Sequence, residues 1–309
     1  MKICFIGNSG HTIQTYNEMK NCPDAEFVGI APSCTLEGTN GMEAFNTKIF
    51  DDYKKMLDET NPQVAVIAPI FGYIGRIIKE CAERKIDVFA EKPIAASAQE
   101  LESVKSAIQS NGIHFSAMHF LRFTPSFYHA QKKVKSGAIG KINLITAQKS
   151  YKYGKRPEWY SNRKLYPGTI PWVGIHAIDW IYFFSEKKFK SVSALSHGNP
   201  SRYALCHFEL EDDIIASVNV DFLRPVDAPT HGDDRIRIAG TEGVIEVFEN
   251  KFILINKDGT KEYFPETAPK LAYDFLQHTE ELSVEEIFAL TDVALKAQES
   301  ADSHTKILF

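Results

Sequence analysis

Three short stretches of this 309-residue sequence carry side chains able to do chemistry. In Glu91-Lys92-Pro93 a lysine stands between a carboxylate and a proline ring that fixes the turn. An ammonium held there can donate a hydrogen bond to a reacting oxygen, and burial would depress its pKa toward the range where protons move. The plain alternative is a surface lysine in a turn, with Glu91 paired to it or to a backbone group. The second stretch is Trp172-Val-Gly-Ile-His176-Ala-Ile-Asp179. His176 is the candidate acid/base, since a free imidazole titrates near neutrality; the competing reading is a satisfied core histidine. Asp179 can orient it or cap a neighbouring backbone group. Trp172, four residues before His176, is expected to share its helix face. There its indole either lines a pocket suited to the apolar face of a sugar ring or fills the core. The third stretch, Gly7-Asn8-Ser9-Gly10-His11-Thr12, follows an apolar run. A dinucleotide fingerprint in this register wants glycine at positions 7, 9 and 12. Gly7 meets it, Ser9 is small enough for a pyrophosphate to approach, and Gly10 supplies backbone freedom next door.

The elements that must position these residues follow from hydrophobic period. Over the first 120 residues, short, largely apolar runs (Lys2–Ile6, Glu26–Ala31, Val64–Ala68, Asp87–Ala90, His114–Met118) alternate with helix-period stretches. Ile74, Ile77, Ile78 and Cys81 fall on one helix face, as do Leu101, Val104 and Ile108. Asp51 or Asp52 can cap the helix that runs through Leu57. Such a series predicts a doubly wound parallel sheet covered on both faces. The second strand ends at Ala31-Pro32-Ser33-Cys34, where an acid for ribose hydroxyls is expected in NAD sites and an Arg in NADP sites. Neither stands there; Ser33 or Thr35 can hydrogen-bond either group, so both nucleotides stay open.

From residue 121 onward strand signals dominate, after a helix predicted over Pro125–Lys135 with proline in its first turn. Ile214, Ala216, Val218, Val220 and Phe222 alternate in period two. Glu211-Asp212-Asp213 and Asn256-Lys257-Asp258-Gly259 read as hairpin turns. One helix interrupts near Gly174–Phe184, and Ser283-Val-Glu-Glu286 reads as a capping box. The expectation is two domains, 1–120 and 121–309. The second is a mainly antiparallel sheet that includes the C-terminal helices.

Composition narrows the partners. Hydrophobic residues are 44%, charged residues 24% and net charge −5, with signs interspersed, which offers no basic face to nucleic acid or a membrane. Five scattered cysteines with no C-x-x-C pair suggest neither a disulfide framework nor a cysteine metal site, so no metal is expected. The chain opens directly into a strand without a signal-peptide pattern, and no apolar run reaches the ~18 residues of a membrane span. A cytoplasmic protein is expected.

The Glu91-Lys92-Pro93 motif at the carboxyl edge of the sheet, with the two-part architecture, resembles the glucose–fructose oxidoreductase / inositol dehydrogenase (Gfo/Idh/MocA) family. His119-Phe-Leu-Arg122-Phe-Thr-Pro125 is similar to its interdomain stretch. Gly137-Ala-Ile-Gly140-Lys141 is similar to the lead-in of its second domain, Gly174-Ile-His176-Ala-Ile-Asp179 to its helix motif and Gly240-Thr-Glu-Gly243 to a late sheet turn. The resemblance covers nearly the whole chain. It implies a Rossmann domain that holds NAD or NADP, and an open-faced sheet domain that often forms homodimers or homotetramers. It also implies hydride transfer to or from a sugar, inositol or related polyol. Lys92 would then hydrogen-bond the reacting oxygen and His176 would act as acid/base, with Asp179 and Trp172 in support. The cofactor would meet Gly7, Asn8, Ser9, Gly10, His11, Ser33, Ala68, Pro69, Glu91, Lys92 and His119. The substrate would meet Arg122, Tyr153, Trp159 and Trp172. An interdomain salt bridge is the other reading of Arg122, and a dimer contact that of the aromatic and basic loop from Tyr151 to Arg163.

Three positions depart from the family pattern: the glycine turn, Trp172 where an acidic residue is common, and Phe71-Gly72-Tyr73 where a histidine often stands. They leave two other functions open. One is a nucleotide-binding sensor without turnover; the other is a redox-neutral enzyme using tightly held NAD.

Overall fold

Largely apolar segments form the centre of the first unit in the computed structural model, which describes residues 1–198 and 200–309. This unit comprises Met1–Met118, Lys164–Pro167 and Lys270–Asp292. Among the described residues its strands are β1 (Lys2–Ile6), β2 (Glu26–Ala31), β3 (Val64–Ile67), β4 (Asp87–Ala90) and β5 (Phe115–Ala117). They form one parallel sheet in the order β2-β1-β3-β4-β5. Every residue of β3 and β5 is buried, the burial expected of strands with helices on both faces.

Helices α1 (Thr12–Met19), α2 (Tyr53–Thr60), α3 (Ile74–Glu83) and α4 (Ala98–Asn111) alternate with these strands. Asp52 is the cap of α2, accepting from the Lys54 and Lys55 N–H groups. Ile74, Ile77, Ile78 and Cys81 are buried together on α3, as their spacing requires. From β1 the chain steps outward to β2, then returns past β1 to β3. The carboxyl ends of β1 and β3 therefore flank a topological switch point, where a doubly wound sheet opens a ligand crevice.

The second unit comprises His119–Arg163, Gly168–Pro269 and Val293–Phe309. It contains α5 (Pro125–Lys135), β6 (Ile142–Lys152), α6 (Ile175–Ser185), β7 (Phe189–His197), β8 (Tyr203–Leu210), β9 (Ile215–Arg224), β10 (Gly232–Gly240), β11 (Gly243–Phe248), β12 (Phe252–Asn256) and β13 (Gly259–Tyr263). After α7 (Leu271–Leu276) and α8 (Val284–Ser303), the short β14 (Ile307–Leu308) completes the sheet. Among the described residues this sheet runs β13-β12-β11-β10-β6-β9-β8-β7-β14, antiparallel except where β6 meets β9. β8 alternates exposed and buried at every residue, and in β9 Ala216, Val218, Val220 and Phe222 are buried on the face the period predicted. Helix α6 packs on β6 and β9.

Two sequence expectations change. The C-terminal helices were assigned to the sheet domain, but α7 and the first part of α8 group with the first unit. There the Ala272 N–H donates to Glu18 Oε2 at 3.0 Å, and Phe275 packs on Phe89 of β4. The helix expected to start at Gly174 is preceded by a π-helical turn, Ile170–Gly174. Trp172 lies in that wider turn, so the α-helical spacing that would align it with His176 does not hold.

Candidate active site

In the first unit, the loop after β1 is shaped by close approach to the loop after β3. Gly7 has φ of 80°, and a Cβ there would lie 2.3 Å from the Ala68 carbonyl oxygen, so only glycine fits. The Ser9 N–H donates to that same oxygen at 3.0 Å. Gly10 is constrained from the other side, where a Cβ would meet Glu91 Oε1 at 2.4 Å. The loop leads straight into α1, whose N-cap, His11, makes no side-chain capping bond to the helix. Small residues, a positive-φ glycine and a helix start at the sheet's carboxyl edge suit a pyrophosphate. Gly7, Asn8, Ser9, Gly10, Ala68 and Pro69 are the residues able to cradle it.

His11 turns instead to Glu91: its Nδ1 donates to Oε1 at 2.9 Å and Oε2 at 3.1 Å. Glu91 is 1% exposed, and its N–H donates to the Ile67 carbonyl at 2.7 Å, pinning the turn to the end of β3. Lys92 is 3% exposed, with Nζ 3.6 Å from Glu91 Oε1. Burial pulls its pKa below the ordinary lysine value, partly opposed by the Glu91 charge. The Lys92–Pro93 peptide is cis. Lys92 is thus a buried ammonium oriented by a carboxylate that the glycine loop also holds.

Sequence reasoning found no acid for the end of β2. The structure supplies one from the following loop: Glu37 folds back so that its Oε2 accepts from the Ser33 N–H at 2.7 Å and the Ser33 hydroxyl at 2.6 Å. Its Oε1 accepts from the Asn8 N–H at 3.2 Å. The fingerprint spacing looks for this acid at the strand end, and Glu37 comes six residues later, so only loop closure reveals it. Beside it a cavity of ≈ 970 Å³ is lined by Pro32, Ser33, Cys34, Thr35, Tyr73 and Arg76, among others. Tyr73 of Phe71-Gly72-Tyr73 therefore gives this cavity an aromatic wall, at the stretch where the resembled family often has a histidine.

In the second unit, α6 carries the candidate acid/base. His176 is buried on its first turn. Asp179 is committed elsewhere: its Oδ1 and Oδ2 accept from Arg122 Nε at 3.1 and 3.2 Å, Nη2 of Arg122 also bonds Oδ1, and His119 Nδ1 lies 3.4 Å from Oδ2. Burial pushes the Asp179 carboxyl up, but Arg122 and His119 outweigh it and hold it below the usual carboxylate value. Arg122 therefore forms an ion pair, as one reading had it, but within the second unit rather than between domains. Its guanidinium also lies 5.1 Å from the Phe183 ring centre. Fully buried His119, expected at the cofactor, belongs to the same knot.

Trp172 hydrogen-bonds the buried Tyr160 hydroxyl, and the Tyr160 ring packs at a tilt on Trp159, 4.2 Å between ring centres. Arg156 sits over Phe222 and Tyr160 at 5.0 and 5.2 Å, and Arg202 over Tyr153 at 4.2 Å. The loop from Tyr151 to Arg163 is thus an aromatic and guanidinium surface joined to Trp172. Lys149, which sequence reasoning passed over, is fully buried on β6 and paired with its cross-strand neighbour Asp234 on β10. Burial pushes the Asp234 carboxyl up against the pull of Lys149. The signal was present: Ile145, Ala147 and Lys149 share one phase of a period-two strand, so a lysine falls on the buried face.

Comparison with known proteins identifies the fold and the family. A family model described as the oxidoreductase family with NAD-binding Rossmann fold matches residues 1–119, and the GFO/IDH/MocA C-terminal domain model matches residues 127–246. A solved structure from Thermotoga maritima is 39% identical and covers both chains in full, with a TM-score of 0.95. A curated relative from Mediterraneibacter gnavus, 2,7-anhydro-N-acetylneuraminate hydratase, is 28% identical over 74% of this chain; the chain spans 62% of that relative's length. Levoglucosan dehydrogenase in complex with NADH shares the fold, with a TM-score of 0.86 at 16% identity over 100% of this chain and 98% of that one. Two family segments in chain order, and a relative 39% identical along its full length, show that the chain belongs to the Gfo/Idh/MocA oxidoreductase family and carries its NAD-binding Rossmann fold.

Proposed function

We propose that the chain oxidises a CH–OH group of a sugar, inositol or related polyol to the carbonyl, or reduces that carbonyl back to CH–OH, with a nicotinamide dinucleotide. The observation that carries this reading is Lys92: a buried ammonium, next to Glu91, at the carboxyl edge of a dinucleotide-type sheet. The nicotinamide supplies or accepts the hydride. Lys92 donates a hydrogen bond to the reacting oxygen and steadies its charge, since a donor in a dry site is worth more than in water. Glu91 and His11 hold that lysine in place. His176 exchanges the hydroxyl proton, and the Arg122–Asp179–His119 knot fixes the helix that carries it. Trp172, Tyr153 and Trp159 offer ring faces to the substrate's C–H surface.

The assembly proposed is a homodimer or homotetramer through the outer sheet face. There Leu195 and Leu205 are cross-strand neighbours 53% and 48% exposed, and Leu144 pairs with Ile215. A monomeric mass by light scattering would dismiss it.

The test of the activity is binding and turnover together. Calorimetry with NADH and NADPH is expected to show one bound nucleotide per chain, and binding of neither sinks the reading. On a substrate found from a polyol panel, Lys92→Ala is expected to lower kcat about 10²- to 10⁴-fold, the usual worth of a positioned proton-transfer group. A second reading is favoured by Trp172, which removes a carboxylate from the helix motif, and by the hydratase among the relatives. In that reading the reaction is redox-neutral, and product would form with no net change in NADH absorbance.

A further inference from the structure

Glu37 lies six residues beyond β2, yet its carboxylate returns to the carboxyl ends of β1 and β2. Each of its oxygens receives one backbone N–H and one side-chain hydroxyl. Oε1 takes the Asn8 N–H at 3.2 Å and the Ser9 hydroxyl at 3.4 Å. Oε2 takes the Ser33 N–H at 2.7 Å and the Ser33 hydroxyl at 2.6 Å. The backbone donors fix the carboxylate in place, and the Asn8 amide ties the same loop down through the Asn40 carbonyl at 2.7 Å. The two hydroxyls are rotors and can turn away. A ribose diol offers two O–H donors in their stead, so neither oxygen is left unsatisfied. Ser33 also lines the ≈ 970 Å³ cavity in which Arg76 stacks over the Tyr73 ring at 4.3 Å, a planar surface suited to a purine.

We propose that Glu37 reads the 2′- and 3′-hydroxyls of the adenosine ribose and makes the chain selective for NAD(H) over NADP(H). This rests on the cofactor reading above and adds the choice between the two nucleotides. A carboxylate only accepts hydrogen bonds, and a 2′-phosphate has no hydroxyl to offer it. The phosphate would instead set like charges against each other. The adjoining cavity supplies no surplus cation to offset this, because its four basic lining side chains are matched by four acidic ones.

The experiment titrates the full-length protein with NADH and with NADPH, following nicotinamide fluorescence, then displaces NADH with 5′-ADP and with 2′,5′-ADP. NADH is expected to bind about tenfold or more tightly than NADPH, the scale of one charge-assisted hydrogen bond. 5′-ADP is expected to displace it better than 2′,5′-ADP. Glu37→Gln keeps the side chain's shape and removes its charge, and is expected to bring the two affinities within about threefold while the thermal melt stays cooperative. Equal or tighter NADPH binding by the wild-type protein overturns the role of Glu37 and leaves the cofactor reading standing. So does a ratio that Glu37→Gln does not move. Failure of both nucleotides to bind removes the cofactor reading and this proposal with it.

Discussion

Each unit buries one carboxylate between a cation and an imidazole, and the two knots are built differently. In the second unit Asp179 meets Arg122, and all three members, His119 included, are 0–1% exposed. The guanidinium presents more than one N–H to the carboxylate and stays charged at any pH a protein survives. In the first unit Glu91 meets Lys92 at the longer distance of 3.6 Å, and its imidazole partner, His11, is 19% exposed. Burial lowers the pKa of this lysine, whereas in the other knot the partners win over burial and the Asp179 carboxyl stays ionised. The Arg–Asp knot is therefore a fixed brace for α6. The Lys–Glu knot keeps a cation whose proton is within reach of chemistry.

The comparison breaks first at Asp179. Asp179→Ala leaves the Arg122 guanidinium buried without its carboxylate and is expected to lose about 3–5 kcal/mol in urea unfolding. Because its folded pKa lies below the ordinary 3.8, Asp179 contributes fully above that pH and loses its contribution as the pH falls through the lower folded value. The gap between wild type and Asp179→Asn is accordingly expected to close in unfolding curves taken from pH 5 down toward pH ~2. A gap that stays constant would show that the brace is not electrostatic. The smallest effect is expected at Lys92. Lys92→Met is expected to lower turnover as far as Lys92→Ala does, yet to shift unfolding stability by less than about 1 kcal/mol at neutral pH, because the penalty of burying the ammonium offsets its attraction to Glu91 and His11 still meets that carboxylate. A loss as large as that of Asp179→Ala would make Lys92 a structural residue and end the contrast.

Much of the frame was legible from residue order alone. Largely apolar runs marked every strand of the parallel sheet, because a strand covered on both faces has no regular polar phase. The period-two run from Ile214 to Phe222 named its buried face for the complementary reason. Local capping was equally readable: Asp52 caps α2, and Ser283 and Glu286 exchange bonds across the start of α8. Gly7 was found because a tight turn leaves a glycine requirement at a fixed place in the register. What escaped was non-local. Arg122 and Asp179 are far apart in the chain, and nothing in their spacing announces a pair. Trp172 was misplaced on its helix because a π-turn widens the local spacing.

The residue types and their periods determined the element order, the parallel sheet and its antiparallel companion, and the turn that carries Lys92. These depend on interactions a few residues long, which the sequence spells out. Tertiary structure alone decided which carboxylate each cation meets, that Asp179 braces Arg122, and that Glu37 supplies the acid missing at β2. Those outcomes depend on where loops close in space, and an unpaired charge is excluded from the interior only once the interior exists.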